Sequence, residues 1–310
     1  MSAPPRVLTI LGPTASGKTP LSILLAEKLH GEIVSADSRQ VFRHLDIGTA
    51  KPSKQELKRV RHHLTDILNP DEEYNAGQFG KDVEKIIRQI FRRKRLPIVV
   101  GGSGLYLKAV IDGLFEGPGK DPELRNQLEE RLAAEGAEAL LETLRKFDPV
   151  SASTMAPEKP RRIIRALEVY YITGIPLSKF HAEQRRESPF TFIQIGLEWD
   201  RAELYRRINQ RVDMMLEHGL VDEVKSLQEK GFDRRFNALN TVGYKEMFEY
   251  LEGKTSLEKA IELTKRNSRR FAKRQLTWFR ADKRIRWVKV SGETDFVQLA
   301  NTVAKAFKAK

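Results

Sequence analysis

Eight consecutive residues near the start of the chain combine glycine, lysine and hydroxyl side chains at a spacing that suits phosphate binding. They match the pattern G-x-x-x-x-G-K-[ST] and comprise Gly12, Pro13, Thr14, Ala15, Ser16, Gly17, Lys18 and Thr19. The apolar run at residues 7–11 precedes them, so a buried strand would lead into a turn whose N–H groups face an anion. Lys18 would neutralise phosphate oxygens, and Thr19 would hold a magnesium ion. The pattern predicts a phosphorylated ligand; the alternative is a plain strand-to-helix turn.

Two further polar side chains follow segments that the sequence predicts to be strands. Asp37 comes directly after residues 32–36, where it suits a general base or a metal contact, or simply forms a turn. Ser103 lies in a glycine-rich turn after the strand at 97–100, and its hydroxyl could face the same crevice. A P-loop protein that hydrolyses ATP or GTP normally uses an acidic residue after its third strand to hold magnesium, and this chain has none there. Hydrolysis of a nucleoside triphosphate is therefore disfavoured.

The elements that must position these residues indicate an α/β protein. We predict a P-loop NTPase-like parallel sheet flanked by helices, because an open parallel sheet binds ligands at the carboxyl ends of its strands. Residues 1–117 and 193–310 would form this catalytic core, with basic helices in its last third. Residues 118–192 are mostly helical in pattern and would form an insertion domain.

The charge balance indicates a polyanionic partner. The 310 residues include 55 Lys and Arg against 42 Asp and Glu, a net charge of +13. A predicted helix near residues 257–281 is rich in Lys and Arg, and it could follow a phosphate backbone or simply be solvated. The chain has no cysteine, which excludes disulfides and thiolate catalysis. We find no targeting segment and no apolar segment of membrane-spanning length, so we expect a cytoplasmic enzyme with no membrane partner.

Ten ordered sequence blocks resemble the tRNA dimethylallyltransferase family, also called tRNA isopentenyltransferases, in its bacterial form. The resemblance covers almost the whole chain, with blocks such as GPTASGKT at 12–19, DSRQVF at 37–42, GGSGLY at 101–106, PRRIIRALEVY at 160–170 and NTVGYKE at 240–246. It implies transfer of a dimethylallyl group from dimethylallyl diphosphate to N6 of the adenosine on the 3′ side of a tRNA anticodon, with release of pyrophosphate. The implied cofactor is Mg²⁺, the implied partners are tRNA and dimethylallyl diphosphate, and no obligate protein partner is indicated.

The resemblance also assigns roles to individual residues. Lys18, Thr19 with magnesium, and Arg211 would offset the charge that builds on the departing pyrophosphate. Asp37 would take the proton of the adenine amine, and Ser103 would fix the amine or the leaving group. The residues implied in tRNA binding are Asp37, Ser38, Arg39, Gln40, Ser103, Arg125, Arg161, Arg162, Ile163, Ile164, Arg165, Asn240, Thr241, Val242, Gly243, Tyr244 and Lys245. By residue type alone, Arg211 would be a solvated helix position.

Three other functions stay open at this point. An adenylate isopentenyltransferase uses the same donor but prenylates free adenine nucleotides, and the basic insertion and helix argue against it. A P-loop small-molecule kinase would transfer phosphate from ATP, and the missing acid after the third strand argues against that. A non-catalytic RNA-binding protein would bind tRNA without turnover, which the intact Lys18, Thr19 and Asp37 disfavour.

Overall fold

The chain folds into two compact units. The computed structural model describes residues 4–114, 117–119, 121–183 and 188–308. One unit consists of Met1–Ile111 with Ser188–Lys310, and the other of Asp112–Glu187. The predicted insertion was 118–192, so the smaller unit begins and ends a few residues earlier than the helical pattern indicated. Its end lies earlier because the strand that belongs to the larger unit already begins at Thr191.

A parallel sheet of six strands forms the centre of the larger unit. Its order is β3-β2-β4-β1-β5-β6, and every pair of neighbouring strands is parallel. The strands are β1 Arg6–Leu11, β2 Gly31–Ala36, β3 His62–His63, β4 Leu96–Gly101, β5 Thr191–Trp199 and β6 Arg286–Val290. Strands buried on both faces read as continuous apolar runs, which is why residues 7–11 and 97–100 were recognisable in the sequence.

Three strands end at the same level of the sheet. Leu11, the last residue of β1, pairs with Gly101 at the end of β4, and so does Ala36 at the end of β2. A Cβ atom on Gly101 would lie only 2.1 Å from the carbonyl oxygen of Ala36, so glycine is required for this close approach. The register therefore places the residues that follow these three strands side by side.

Thirteen helices lie in the described part of the chain. They are α1 Lys18–Leu29, α2 Lys54–Arg59, α3 Ala76–Arg92, α4 Gly104–Ile111, α5 Pro122–Phe147, α6 Pro149–Ser153, α7 Pro160–Thr173, α8 Leu177–Glu183, α9 Arg201–Glu217, α10 Leu220–Glu229, α11 Tyr244–Leu251, α12 Leu257–Arg280 and α13 Phe296–Lys308. In the larger unit α1 packs against α13, α3 against α4, and α9 against α12. None of the helices described is long and apolar enough to cross a lipid bilayer.

Apolar side chains from the strands and helices build the core of the larger unit. Leu8, Ile98 and Leu197 from the sheet and Leu21 from α1 are fully buried in one cluster. Burying a leucine or isoleucine side chain contributes about 1.5–3 kcal/mol, so this cluster holds the strand ends in a fixed position. Loops that leave such a rigid sheet can place polar side chains accurately.

The smaller unit is a helical domain built from α5, α6, α7 and α8. Gly136 interrupts α5 with a φ of 85°, where the helix bends. Leu140 and Leu144 from α5 pack with Ile163 and Leu167 from α7 in a core of their own. This unit therefore has the helical character predicted for the insertion.

Candidate active site

The predicted phosphate-binding loop joins β1 to α1. Gly17 precedes the helix with a φ of 90°, a conformation that glycine adopts without strain. Inside the loop, the hydroxyl of Ser16 is buried and has no hydrogen-bond partner among the described residues. An unpaired buried hydroxyl is costly unless a ligand satisfies it. A bound anion in this loop would accept the hydrogen bond that the Ser16 hydroxyl does not make within the described residues.

Lys18 directs its ammonium group back into this loop. Nζ donates hydrogen bonds to the carbonyl oxygens of Gly12, at 3.0 Å, and Pro13, at 2.7 Å. Desolvation and the nearby Arg211 guanidinium lower the pKa of Lys18 to about 7, against the opposing effect of the Asp37 carboxylate. A bound diphosphate would favour the charged form and raise this pKa. The protonation of Lys18 is thus coupled to the presence of an anion.

Arg211 on α9 approaches the loop from the side. Its Nη1 donates to the hydroxyl oxygen of Thr14 at 3.3 Å. Burial lowers the pKa of Arg211, and the Asp37 carboxylate offsets part of that effect. Arg211 is therefore not the solvated residue that its type alone would favour. Two cations and one carboxylate act on one another at the ligand-binding edge of the sheet.

A stacked pair holds the outer side of the loop. The guanidinium of Arg207, one helical turn before Arg211, lies 4.2 Å from the ring centroid of Trp199. Arg207 Nε donates to the carbonyl oxygen of Ala15 at 3.0 Å, and Trp199 Nε1 donates to that of Ser16 at 2.9 Å. These two contacts hold the carbonyls of Ala15 and Ser16 in fixed positions. Sequence reasoning missed both residues, since nothing local marks them as loop contacts.

Asp37 lies in the turn that follows β2. Its Oδ1 accepts hydrogen bonds from the backbone N–H groups of Arg39, at 2.9 Å, and Gln40, at 3.4 Å. The turn-forming interpretation of this residue is therefore correct for one oxygen. Oδ2 accepts no hydrogen bond from the described residues, so it can still receive a proton from a substrate. One carboxylate can shape the turn and serve as a base.

Ser103 connects the turn after β4 with the turn after β2. Its Oγ accepts a hydrogen bond from the Ser38 N–H at 3.1 Å and lies 3.4 Å from the Ser38 hydroxyl. Its own N–H donates to the carbonyl oxygen of Ala36 at 3.4 Å. The structure thus brings Ser103 beside the Asp37 turn, as the sequence analysis expected.

Gln275 on α12 joins the phosphate-binding loop to the glycine turn. Its Oε1 accepts from the Thr14 N–H at 2.9 Å, and its Nε2 donates to the Gly102 carbonyl at 2.9 Å. The side chain is almost fully buried. Sequence analysis did not predict this role; the available signal was a glutamine at a position where an amphipathic helix would place an apolar residue.

The turn at 38–40 is also tied to other segments of the larger unit. Arg39 Nη1 donates to the Asn237 carbonyl at 2.6 Å. Gln40 Nε2 donates to the carbonyls of Thr49, at 3.3 Å, and Ala50, at 3.2 Å. These side chains support the site, whatever contacts they make with a substrate.

Residues 240–245 are anchored by a carboxylate on α10. Glu223 accepts from the Tyr244 hydroxyl at 2.6 Å and from the N–H groups of Ile47, at 2.7 Å, and Gly48, at 3.1 Å. Tyr244 is fully buried, so its side chain is a core residue and not a surface for RNA. Of the other residues predicted in this segment, Asn240 is exposed and Gly243 is buried. Thr241, Val242 and Lys245 are partly buried.

In the smaller unit the predicted tRNA-binding residues differ in exposure. Arg161 and Arg162 are exposed at the start of α7 and make no ion pair with any described residue. Ile163 and Ile164 are buried in the helical core. A contact between tRNA and these isoleucine side chains is therefore inconsistent with the structure, because α7 turns them inward.

Two other arginines of this unit are bound to a buried carboxylate. Glu168, fully buried, receives a hydrogen bond from Arg165 at 2.8 Å, and Arg125 lies 3.6 Å from it. Arg165 also donates to the carbonyl oxygen of Pro118 at 3.0 Å. These two residues stabilise the unit, and only part of their hydrogen-bonding capacity is left for a substrate.

Thr19, predicted to hold magnesium, lies in the first turn of α1. Its hydroxyl forms no hydrogen bond with the described residues and is partly exposed. The described chain contains no group of three or more His, Asp or Glu side chains able to hold a metal. The Thr19 hydroxyl is a single oxygen donor, the kind of ligand that Mg²⁺ accepts together with phosphate oxygens and water.

A family model described as IPP transferase matches residues 40–282. The chain belongs to the IPP transferase family. The tRNA dimethylallyltransferase of Pelotomaculum thermopropionicum is 47% identical to this chain over 300 residues, which are 96% of this chain and 95% of the relative. The tRNA dimethylallyltransferase 1 of Pelobacter propionicus is 49% identical over 285 residues, 92% of each chain. The model match begins at Gln40, after the loop and Asp37, but these relatives cover nearly the whole chain.

Solved structures of the IPP transferase family have the same fold. The full-length tRNA isopentenylpyrophosphate transferase of Bacillus halodurans is 42% identical, with a TM-score of 0.72, and the match covers 98% of this chain and 97% of that one. A eukaryotic dimethylallyltransferase acting on tRNA is 30% identical, with a TM-score of 0.82, over 98% of this chain and 80% of that one. The predicted fold class, a P-loop-like parallel sheet flanked by helices, is confirmed.

Proposed function

We propose that this chain transfers a dimethylallyl group from dimethylallyl diphosphate to N6 of the adenosine on the 3′ side of a tRNA anticodon. The observation that supports this most directly is that Lys18 and Arg211 bind the loop after β1, while Asp37 lies in the turn after β2 at the same edge of the sheet. Two cations suit a diphosphate, and a carboxylate suits the proton of an amine. The names of the relatives agree with this chemistry.

The diphosphate occupies the phosphate-binding loop in this proposal. Loop amides, Lys18 and Arg211 surround its oxygens, and the Ser16 hydroxyl gains the partner that it lacks. Negative charge increases on the pyrophosphate as the allylic carbon–oxygen bond breaks. Fixed cations stabilise that charge more than the ground state, which lowers the barrier.

The acceptor amine lies on the Asp37 side of the crevice. The lone pair of the adenine N6 forms a bond to C1 of the dimethylallyl group while the C1–O bond breaks. The electron pair of the C1–O bond leaves with pyrophosphate. One N6 proton passes to the free Oδ2 of Asp37. Ser103, which fixes the turn through Ser38, keeps this carboxylate in place.

Magnesium fits this arrangement at Thr19. When bound, the ion would neutralise part of the diphosphate charge and orient its oxygens. The Thr19 hydroxyl would be its ligand from the protein, and the diphosphate and water would supply the rest.

Exposed arginines would hold the tRNA. Arg161 and Arg162 are the best candidates in the smaller unit, because neither has an ion-pair partner among the described residues. Asn240 and Lys245 are candidates in the larger unit. Contacts of this kind neutralise phosphates and give binding that weakens with salt.

A transfer assay tests the proposal against its alternatives. Dimethylallyl diphosphate labelled in the allyl group is incubated with magnesium and either unmodified tRNA or AMP, and ATP hydrolysis is followed in parallel. We expect label in tRNA only, and none with a Lys18→Met variant. Label in AMP would indicate an adenylate isopentenyltransferase, and ATP turnover without transfer would indicate a kinase-like enzyme. The naming of the relatives as tRNA enzymes favours the first outcome.

A further inference from the structure

An exposed tryptophan packs on the backbone of the active-site turn. Trp278 on α12 is 42% exposed, which is unusual for so large an apolar side chain. A Cβ atom on Gly104 would lie 2.4 Å from Trp278 Cδ1, 2.5 Å from Nε1 and 2.7 Å from Cγ. Because three ring atoms are nearly equidistant from this point, the indole lies face-on against the glycine. The rest of the indole is available to a ligand.

This indole lies at the rim of the candidate active site. Gly104 directly follows Ser103, whose hydroxyl binds the turn that carries Asp37. Leu105, the next residue, is 50% exposed. Gln275, one turn before Trp278, binds the phosphate-binding loop and the glycine turn. Helix α12 therefore supports the site through Gln275 and presents the indole of Trp278 beside it, one turn later.

The helix that carries this ring also carries positive charge that no described acidic side chain neutralises. Arg270, Lys273 and Arg274 on α12 are exposed and form no ion pair with any described residue. The Arg274 guanidinium lies 5.8 Å from the ring centroid of Phe271, another exposed aromatic of this helix. Exposed rings among unpaired cations are typical of surfaces that bind single-stranded nucleic acid, since bases stack on the rings and phosphates meet the cations.

We propose that Trp278 stacks on a nucleobase next to the reacting adenosine. This inference rests on the proposed function, in which the adenine leaves the stack of its loop to enter the crevice. Its departure leaves a neighbouring base with one unstacked face. The indole at the rim takes that face and stabilises the open loop. Trp278 is therefore a binding residue for the RNA and takes no part in proton transfer.

The indole N–H agrees with this role. Trp278 Nε1 donates no hydrogen bond to the described residues, whereas the buried Trp199 donates its N–H to a backbone carbonyl. A tryptophan placed only to fill space would normally be more deeply covered and have its N–H satisfied within the protein.

Substitutions at one position test the proposal. Trp278→Phe keeps a ring, whereas Trp278→Leu keeps apolar contact with Gly104 but cannot stack on a base. We expect the leucine variant to bind an anticodon stem-loop about 10-fold more weakly or worse, since base stacking on an aromatic ring has an effect of this order. The phenylalanine variant should lose less affinity for the stem-loop than the leucine variant does. The KM for dimethylallyl diphosphate should stay unchanged in both.

Stem-loops with an abasic nucleotide on the 5′ or the 3′ side of the reacting adenosine complete the test. With the base that stacks removed, wild type and Trp278→Leu should bind equally well. Equal binding of both proteins to the intact stem-loop, or an unchanged difference with both abasic stem-loops, would overturn the proposal. A melting curve shows whether the leucine variant folds; if it does not, the phenylalanine variant and the abasic stem-loops still give the result. Binding by fluorescence anisotropy does not need turnover, so failure of the proposed activity is recognised separately by the absence of prenyl transfer in the wild type.

Discussion

At the scale of single residues, the site depends on side chains with two tasks. Asp37 uses Oδ1 to form its turn, and its Oδ2 accepts no hydrogen bond from the part of the chain that the structure describes. Lys18 binds two loop carbonyls and carries a pKa lowered to about 7. Because each residue makes structural contacts and has a proposed chemical role, substitutions must be chosen to separate the two.

Asp37→Asn separates the tasks of the carboxylate. The amide oxygen can still accept from the Arg39 N–H, so the melting temperature should change little, but the side chain no longer accepts a proton. We expect kcat to fall by about 10²- to 10⁴-fold, the range for loss of a general base, with unchanged tRNA affinity. Asp37→Ala is the control: it removes the turn as well and should also lower the melting temperature. Near-normal kcat in the asparagine variant would contradict the role as a base.

Lys18 should make stability depend on pH. Its pKa is lowered on folding, so the folded state binds fewer protons than the unfolded state between about pH 7 and 10.5. The cost of the desolvated charge is full below pH 7 and decreases as pH rises through this range. Lys18→Met should therefore melt higher than wild type at pH 6, with a smaller difference at pH 9. A difference that does not change with pH would contradict the lowered pKa. Pyrophosphate should stabilise only the wild type.

At the scale of elements, α12 connects the site with the surface. Its buried side includes Thr264, Gln275 and Phe279, and its exposed side carries Phe271 and Trp278. Phe271, Gln275 and Trp278 lie three or four residues apart, a spacing that puts residues near one another on a helix, but the structure buries Gln275 and exposes the other two. The basic helix α12 therefore holds the phosphate-binding loop and the glycine turn on its buried side and exposes two aromatic rings to solvent on the other.

Gln275→Leu should weaken the link between the phosphate-binding loop and the glycine turn. It leaves the Thr14 N–H and the Gly102 carbonyl without their partner, which costs about 1–3 kcal/mol for a buried group left unsatisfied. We expect a lower free energy of unfolding and a higher KM for dimethylallyl diphosphate. Thr277→Val on the exposed side of the same helix is the matched control, since the hydroxyl of Thr277 bonds only the Lys273 carbonyl among the residues that the structure describes. Unchanged KM in the leucine variant would show that the two loops hold their positions without Gln275.

In the smaller unit, α7 should contribute to tRNA binding through its first turn. Replacing Arg161 and Arg162 by Ala should weaken tRNA binding and reduce the slope of log K against log salt by about 1 to 2, as expected for two lost phosphate contacts. Arg131→Ala is the control, because that residue is already paired with Glu135. An unchanged slope in the double variant would remove both arginines from the phosphate contacts.

At the scale of the whole molecule, the net charge of +13 distinguishes the two substrates. In the proposed reaction, a tRNA would contact many cationic side chains, whereas dimethylallyl diphosphate would contact a few in a partly buried site. Raising salt from 50 to 200 mM should therefore weaken tRNA binding by about tenfold or more, with a much smaller change in KM for the diphosphate. If tRNA binding and the KM for dimethylallyl diphosphate changed equally with salt, the expected difference between the two substrates would be contradicted.

The sequence by itself determined the phosphate-binding loop, the acid after β2, the hydroxyl after β4 and the excess of positive charge. These features are local: a glycine, a lysine and an apolar run close together already specify a strand, a turn and a helix start. The pattern of strands and helices predicted the fold, and the family resemblance implied the reaction that we propose.

Only the tertiary structure decided which side chains complete the site. Gln275 reaches Thr14 across 261 residues, and the pairing of Leu11 and Ala36 with Gly101 aligns three turns. Burial likewise separated the exposed Arg161 from the buried Ile163 two residues later. Contacts of this kind depend on how distant segments pack, and the local patterns from which elements are predicted contain no information about that packing.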